Sequence, residues 1–569
     1  MRKKSLAVFL IPFIFLSSCA PQAESSDSSV SSPTQVQVEA AISTSAVVQN
    51  QETTPTVAPA SLSDLNFWIE PSVPAQLANS LGSISIAPEE SSANLRLGLI
   101  SDQEPGVVWI YALATPFSSL LDEMSLSALK SAWKGTSDPS YDIYLEESTL
   151  AALEDVLGQP GANVMTLEAD DILAASWEDE NTLAILPFEA LEPRWKIIAI
   201  DGQSPIHNDF ESDAYPLKAT FGWQGDSVMM SVLSQAVDKD EFIQIAGNRD
   251  PTQLTVLVMT GVTALVRATA VKMEEKGMTY PGEAVRDWLV NADLTHISNE
   301  VSFSPVCPDP VSYPGALIFC SKPEYIELLD YVGTDILELT GNHGIDWGRD
   351  ALTYSLGLYE DRGWLVYASG ESAAQAREAV TVEHNGNRLA FIGCNPAGPE
   401  FIWATETQSG VANCDYPWMW QRIRQLTDEG YQVISTFQYF ETYRHYVEPF
   451  EERDFRSMAD AGAVIVSGSQ AHHPMAMEFY DGSFIHYGLG NLFFDQMHTG
   501  GLIPDATRKE FIDRHVFYNN RHISTELLTA MLEDYARPRP MSPAERFDFL
   551  TEIFAVTDWG DVPWIYKEK

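Results

Sequence analysis

Positive charge is what this chain has least of. It carries 34 Lys and Arg against 80 Asp and Glu, for a formal net charge of −46. No Lys or Arg occurs between Lys4 and Arg96. Sequence-independent binding to nucleic acid needs clustered cations against phosphates, so that class of partner is excluded. Free polyanions and anionic lipid headgroups are repelled as well. A polyanionic substrate would need a metal ion or a local basic pocket. Cysteine is also scarce, at 5. No CxxC pair occurs, which argues against a four-cysteine zinc site. Beyond the N-terminus no segment has about 18 consecutive apolar residues, so no spanning helix is expected. No short-period internal repeat is present.

The N-terminus is instead richly patterned. MRKK supplies a basic start, SLAVFLIPFIF an apolar stretch, and LSSC ends at Cys19. This resembles a bacterial lipoprotein signal. Residues 1–19 are read as the signal peptide, with Cys19 the lipidated first residue of the mature chain. An ordinary secretory signal is the other reading. Residues 20–62 are rich in Ser, Thr, Gln, Pro and Ala without apolar periodicity. They read as a flexible tether that holds the folded part off the membrane. The expected location is extracytoplasmic, lipid-anchored to the bacterial cell membrane. In an exported chain the other four cysteines suggest two disulfides. The simplest pairing is Cys307–Cys320 with Cys394–Cys414, and the other two pairings stay open.

Residues 63–250 alternate strand-like and helix-like segments. LNFWIEP, SISIAP, LRLGLIS and VVWIYALA read as strands, PAQLANSL and SLSALKSAWKG as helices. That alternation predicts an α/β domain. The phrases VVWIYALATPFSSLLDEMSLSALKSAWKG and NTLAILPFEALEPRWKIIAIDG resemble periplasmic substrate-binding proteins of the phosphate type. The resemblance implies a small-molecule or anion ligand whose identity is unreadable. Thr115, Ser118 and Ser119 could donate to an oxyanion or simply cap a helix.

A polar RDPTQ stretch marks a boundary, and the alternation restarts over residues 251–569. Hairpins are predicted at NGN (residues 385–387) and at Asp481–Gly482. The tail from residue 497 mixes Arg, aromatics and Pro, and is expected to form helices packed on this domain.

Polar turns close successive hydrophobic segments here. Asn299 and Glu300 follow DLTHIS. Asn342 and His343 follow DILELT, in GNHGIDWG. Gln438 and Glu441 follow YQVIST, in FQYFETY. Gln470 and His472 follow GAVIVS, in GSQAHH. In open α/β sheets, ligand groups collect at the carboxyl ends of strands. A carboxylate, amides and imidazoles gathered there could hold a divalent metal and activate water.

The order ADLTHISNE, ELTGNHGIDWG and GAVIVSGSQAHHPMAMEFYDGSFIHYGLGNLFFD resembles the CapA family of poly-γ-glutamate capsule biosynthesis proteins. That family is related in fold to the calcineurin-like metallophosphatases. The resemblance implies a four-layer α/β sandwich with a metal site at its strand ends. It also implies work with an envelope polymer or the capsule machinery. The family's Asn-Glu element matches Asn299 and Glu300. Its Asn-His pair and following turn match Asn342, His343 and Asp346. Its Gly-Asn-Phe close matches Gly490, Asn491 and Phe493 loosely.

Three positions depart from the pattern. The Gly-Asp…Arg motif falls on residues 261–267, with Val262 at the Asp position and Arg267 at its end. The His-Trp-Gly motif falls on Gln438, Tyr439 and Phe440. The His-x-His motif falls on Gln470 and His472. Valine has no lone pair, and a neutral amide oxygen is a weak transition-metal ligand. The remaining set of Glu300, Asn342, His343 and His472 leaves two outcomes. Either one divalent ion (manganese, iron or zinc) binds, or the pocket is polar and metal-free. If the site is catalytic, Glu300, His343 and His472 carry the chemistry, at a peptide- or phosphate-type bond. Arg267, Asn299, Asp346, Gln438, Glu441, Gln470 and Asn491 complete the pocket. Plainer roles compete. Asn342 would cap the next helix, Asp346 form a turn, Arg267 make a structural salt bridge, and Glu441 pair with Arg444. His473 is expected as an exposed neighbour of His472.

Overall fold

The computed structural model describes residues 61–82, 84–238, 244–313, 317–469, 471–497 and 505–559. The signal with Cys19, the tether up to residue 60, and Gln470 lie outside the described residues. Ala60–Lys569 forms one compact unit. Among the described residues, no helix is long and apolar enough to cross a membrane.

The first region builds a mixed eight-stranded sheet. Its central strand Val107–Pro116 is buried over its last eight residues, as expected of a strand covered on both faces. Strand Lys218–Gly225 pairs antiparallel on one side of it and Thr182–Pro187 on the other. Helices Leu126–Trp133 and Glu147–Leu157 bury Leu129, Trp133 and Leu153 in the same core. The SISIAP segment, expected as a strand, makes only an isolated bridge between Phe67 and Ile86.

The second region holds two sheets face to face. One has seven strands, and four run parallel: Leu365–Tyr367, Ile336–Glu338, Leu294–Asn299 and Leu254–Thr263. The other has six, with Asn387–Cys394, Gln432–Phe437, Ala463–Gly468 and Ser483–His486 parallel. Side chains alternate along each strand. Leu257 and Met259 therefore meet Phe391, Ile434 and Ile465 between the sheets, while Val258 faces outward. There it packs with Met273, Leu328 and Tyr359 of helices Arg267–Lys276, Ile326–Tyr331 and Arg349–Glu360. On the far side, Ile392 and Val433 face Ile423 and Phe455 of helices Tyr416–Asp428 and Pro449–Ala459. The order helix, sheet, sheet, helix is the expected four-layer sandwich.

Both predicted hairpins form. Asn385 and Gly386 have φ 48° and 77°, and Asp481 and Gly482 have 47° and 81°, the left-handed pair that tight hairpins require. Both disulfides, Cys307–Cys320 and Cys394–Cys414, are present.

The tail corrects the sequence reading. Lys509–Tyr518 and Arg521–Glu533 are strands, joined at Asn519–Asn520 with φ 51° and 54°. They extend the seven-stranded sheet beside Leu254–Thr263. Among the described residues of the tail, the one α-helix is Pro543–Phe554, with a 3-10 turn at Asp505–Arg508. Contacts tie the two α/β regions together beside residue 250. The Asn248 side chain bonds both the N–H and the C=O of Ile110 at 2.8 Å, and Tyr518 donates to the Asn248 carbonyl at 3.0 Å.

Candidate functional site

The four parallel-strand ends of the sandwich bring the expected residues together. Glu300 follows strand Leu294–Asn299, His343 follows Ile336–Glu338, Gln438 follows Gln432–Phe437, and His472 follows Ala463–Gly468. Gly341 lets the His343 turn close on Glu300. A Cβ at that glycine would stand 2.6 Å from the Glu300 Cα.

Glu300 is 1% exposed, and neither carboxylate oxygen has a hydrogen-bond partner. Burying a carboxylate without donors is costly. The nearest opposing group is His472, whose Nε2 stands 3.8 Å from Glu300 Oε1. The other ring nitrogen of His472 meets Asn491 Oδ1 at 2.9 Å. Asn491 Nδ2 donates to the carbonyls of His472 and Thr507, so its Oδ1 is the acceptor and His472 Nδ1 carries a proton. Nε2 is thereby turned toward Glu300.

His343 is oriented the same way. Its Nδ1 bonds Asp346 Oδ2 at 2.6 Å, and that oxygen also accepts from Phe319 N at 2.9 Å. Burial alone would lower the imidazole pKa. The Asp346 hydrogen bond and the charges of Glu300 and Asp346 outweigh it and hold His343 above its ordinary value. Asp346 is thus a positioning partner as well as a turn former. Glu441 sits exposed at the edge of this cluster. Burial raises its carboxyl, but the charge on His472 and hydrogen bonds from Tyr443 and Gln496, with the His343 charge, pull it below the usual range. Its expected partner Arg444 pairs with Glu451 instead, at 2.7 Å.

The remaining residues hold the frame. Gln438 accepts from Asn395 Nδ2 at 3.0 Å and donates to Asn342 Oδ1 at 2.9 Å. Asn342 therefore serves this amide chain and caps no helix, since the next helix is capped at Gly348. Asn299 turns away, donating to Tyr359 and to the Val301 carbonyl, each at 3.0 Å. Arg267 is bound to Asp495, with Nε at 2.9 Å, and its guanidinium lies over Phe319 and Phe494. It is a structural ion pair, not a free anion holder. His473 is buried rather than exposed, 4.4 Å from the His445 ring. His472 has φ 53°, and this backbone reversal turns both neighbours inward. Asp495 and Asn395 were missed, although each ends a hydrophobic run (GLGNLFF and LAFIGC) just as the recognised residues do.

The donor set does not fit a two-metal centre. Val262 is fully buried with Ala264, Val301 and Phe319 in an apolar cluster. Its backbone bonds Gly490 and Leu492, so this position stabilises the strand end. Gln438 has both ends of its amide occupied. Among the described residues, no three His, Cys, Asp or Glu side chains converge to hold a metal ion. The cavity behind Glu300 measures about 10 Å³, room for a single water at most.

Residues 225–496 match the family described as bacterial capsule synthesis protein PGA_cap. The match covers just under half of the chain, termed below the PGA_cap-like region. Among curated relatives, the capsule biosynthesis protein CapA of Bacillus anthracis is 24% identical over 270 residues, 46% of this chain and 65% of that one. The PGA biosynthesis protein CapA of Bacillus subtilis is 25% identical over 180 residues, 32% of this chain and 47% of that one. The chain thus spans under two thirds of the length of either. A 5′-nucleotidase precursor from Thermus thermophilus aligns over 52% of this chain and 58% of that one, with 12% identity and a TM-score of 0.31. A phosphate transport receptor from Vibrio cholerae aligns over 32% of this chain and 99% of that one, with 10% identity and a TM-score of 0.26. At those scores neither alignment bears on function. The PGA_cap match begins before residue 251, inside the region assigned to the first domain.

Proposed function

We propose that this chain is a lipid-anchored envelope protein that acts in assembly of a capsule or poly-γ-glutamate-like exopolymer, with a degraded metal site in its PGA_cap-like region. The observation that carries this reading is Val262, an apolar residue sealed into a cluster where the family pattern has a ligand. Gln438, tied on both sides by amides, supports it. The lipid anchor rests on the LSSC signal and the tether that follows. An acidic chain suits a protein that handles an anionic polymer without retaining it, because like charges weaken non-specific adhesion.

One observation favours a catalytic reading, in which the site hydrolyses or transfers a peptide- or phosphate-type bond. Glu300 is a buried carboxylate without donors, beside an oriented imidazole, and both are residue types that serve as general acids and bases. The test is complementation. In a polymer-producing strain lacking this chain, Glu300→Gln and His472→Ala variants are each expressed and surface polymer is measured. Restored polymer with both variants is expected. Folded variants that fail to restore it would make the site catalytic. Cys19→Ala is expected to move the chain from the membrane to the soluble fraction.

A further inference from the structure

A cavity of about 260 Å³ opens where the first α/β region meets the tail of the PGA_cap-like side. None of the strand-end residues lines it. Its inner wall is apolar: Phe117, Leu550 and Phe554 are each at most 3% exposed, and Met541 adjoins them. Its mouth is charged. Lys196 Nζ and Arg546 Nε each stand 2.7 Å from the two oxygens of a single carboxylate, Asp122, which is 47% exposed. Beside them Glu526 is held by Arg514 at 3.0 Å and by His207 at 2.9 Å.

The charges do not balance. Lys196, Arg514 and Arg546 face Asp122 and Glu526, leaving one cation in excess before His207 is counted. In a chain of net charge −46, a local positive excess over an apolar chamber is unexpected for a mere domain joint. Small-molecule sites have this form, apolar walls with a few fixed polar groups. Burial pulls the Lys196 ammonium down to about 8, with Asp122 and Glu526 opposing and Arg546 assisting, so it stays largely charged at neutral pH.

We propose that this cavity binds an amphipathic anion, its carboxylate or phosphate head against Lys196 and Arg546 and its apolar body against Phe117, Met541, Leu550 and Phe554. The site joins the two regions, so an occupant would contact both.

Calorimetric titration of the whole chain with octanoate, octyl phosphate, octanol and octylamine tests this. Saturable binding of either anion is expected, at least about tenfold tighter than octanol or octylamine. The better anion identifies the head group. Lys196→Met is expected to weaken that anion about tenfold or more. Leu550→Trp, which keeps every ion pair and fills the chamber, is expected to abolish binding and covers the case in which Lys196→Met does not fold. The proposal is overturned if neither anion saturates, if octanol or octylamine binds as tightly, or if the folded variants bind like the parent chain.

Discussion

His296 shows how burial sets the behaviour of single residues here. Its Nε2 meets the Tyr367 hydroxyl at 2.7 Å between the two sheets, and it is 1% exposed. Burial pulls its pKa from 6.5 down to about 3. The folded value is depressed, so on acidification the unfolded chain takes up a proton first. The neutral imidazole's contribution is therefore whole above 6.5 and is lost as pH falls toward 3. Between about pH 8 and pH 5, the stability gap between the parent chain and His296→Gln should narrow by about 2 kcal/mol, at roughly 1.4 kcal/mol per pH unit. Urea unfolding at both pH values measures it, and an unchanged gap would mean that His296 ionises freely in the fold. Asp495 offers a second single-residue test. Removing it strands the Arg267 guanidinium, which is only 15% exposed. Asp495→Ala is expected to cost about 3–5 kcal/mol, as for other broken buried pairs. A loss below about 1 kcal/mol, typical of a surface pair, would refute the structural role given to Arg267.

At the scale of elements, hydrophobic strands closed by polar turns located Glu300, His343, Gln438 and His472 without a structure, because ligand residues collect where parallel strands end. What they touch was less legible. Asp495 lies 228 residues from Arg267 in sequence, and no local pattern links two such distant groups. The direction of His473 depended on one left-handed residue, which periodicity does not reveal. The tail misled because its Arg and aromatic residues suit a helix surface as well as a strand, although Asn519–Asn520 was a readable hairpin turn. The loop closed by Cys307–Cys320 carries Phe319, which packs on both His343 and Arg267. Its sequence separation is 13, and chain entropy assigns such a closure about 3 kcal/mol. A Cys307→Ser, Cys320→Ser chain should lose about that much by denaturant unfolding. No loss would mean that this crosslink adds nothing to stability.

At the scale of the whole molecule, the two regions were legible as α/β units, but their union was not. Phe117 of the first region packs against Phe479 and Phe484 of the second, and Asp122 binds Arg546 across the joint. Pairings of this kind lie too far apart in sequence for composition or periodicity to register. The union gives a PGA_cap-like sandwich whose strand-end site keeps a buried acid and two oriented imidazoles, but places an apolar cluster and a satisfied amide where further ligands would stand. We propose that no two-metal centre forms there. Elemental analysis of the chain purified without chelator tests it most directly. At most one equivalent of divalent metal per chain is predicted, and two tightly held equivalents would contradict the account.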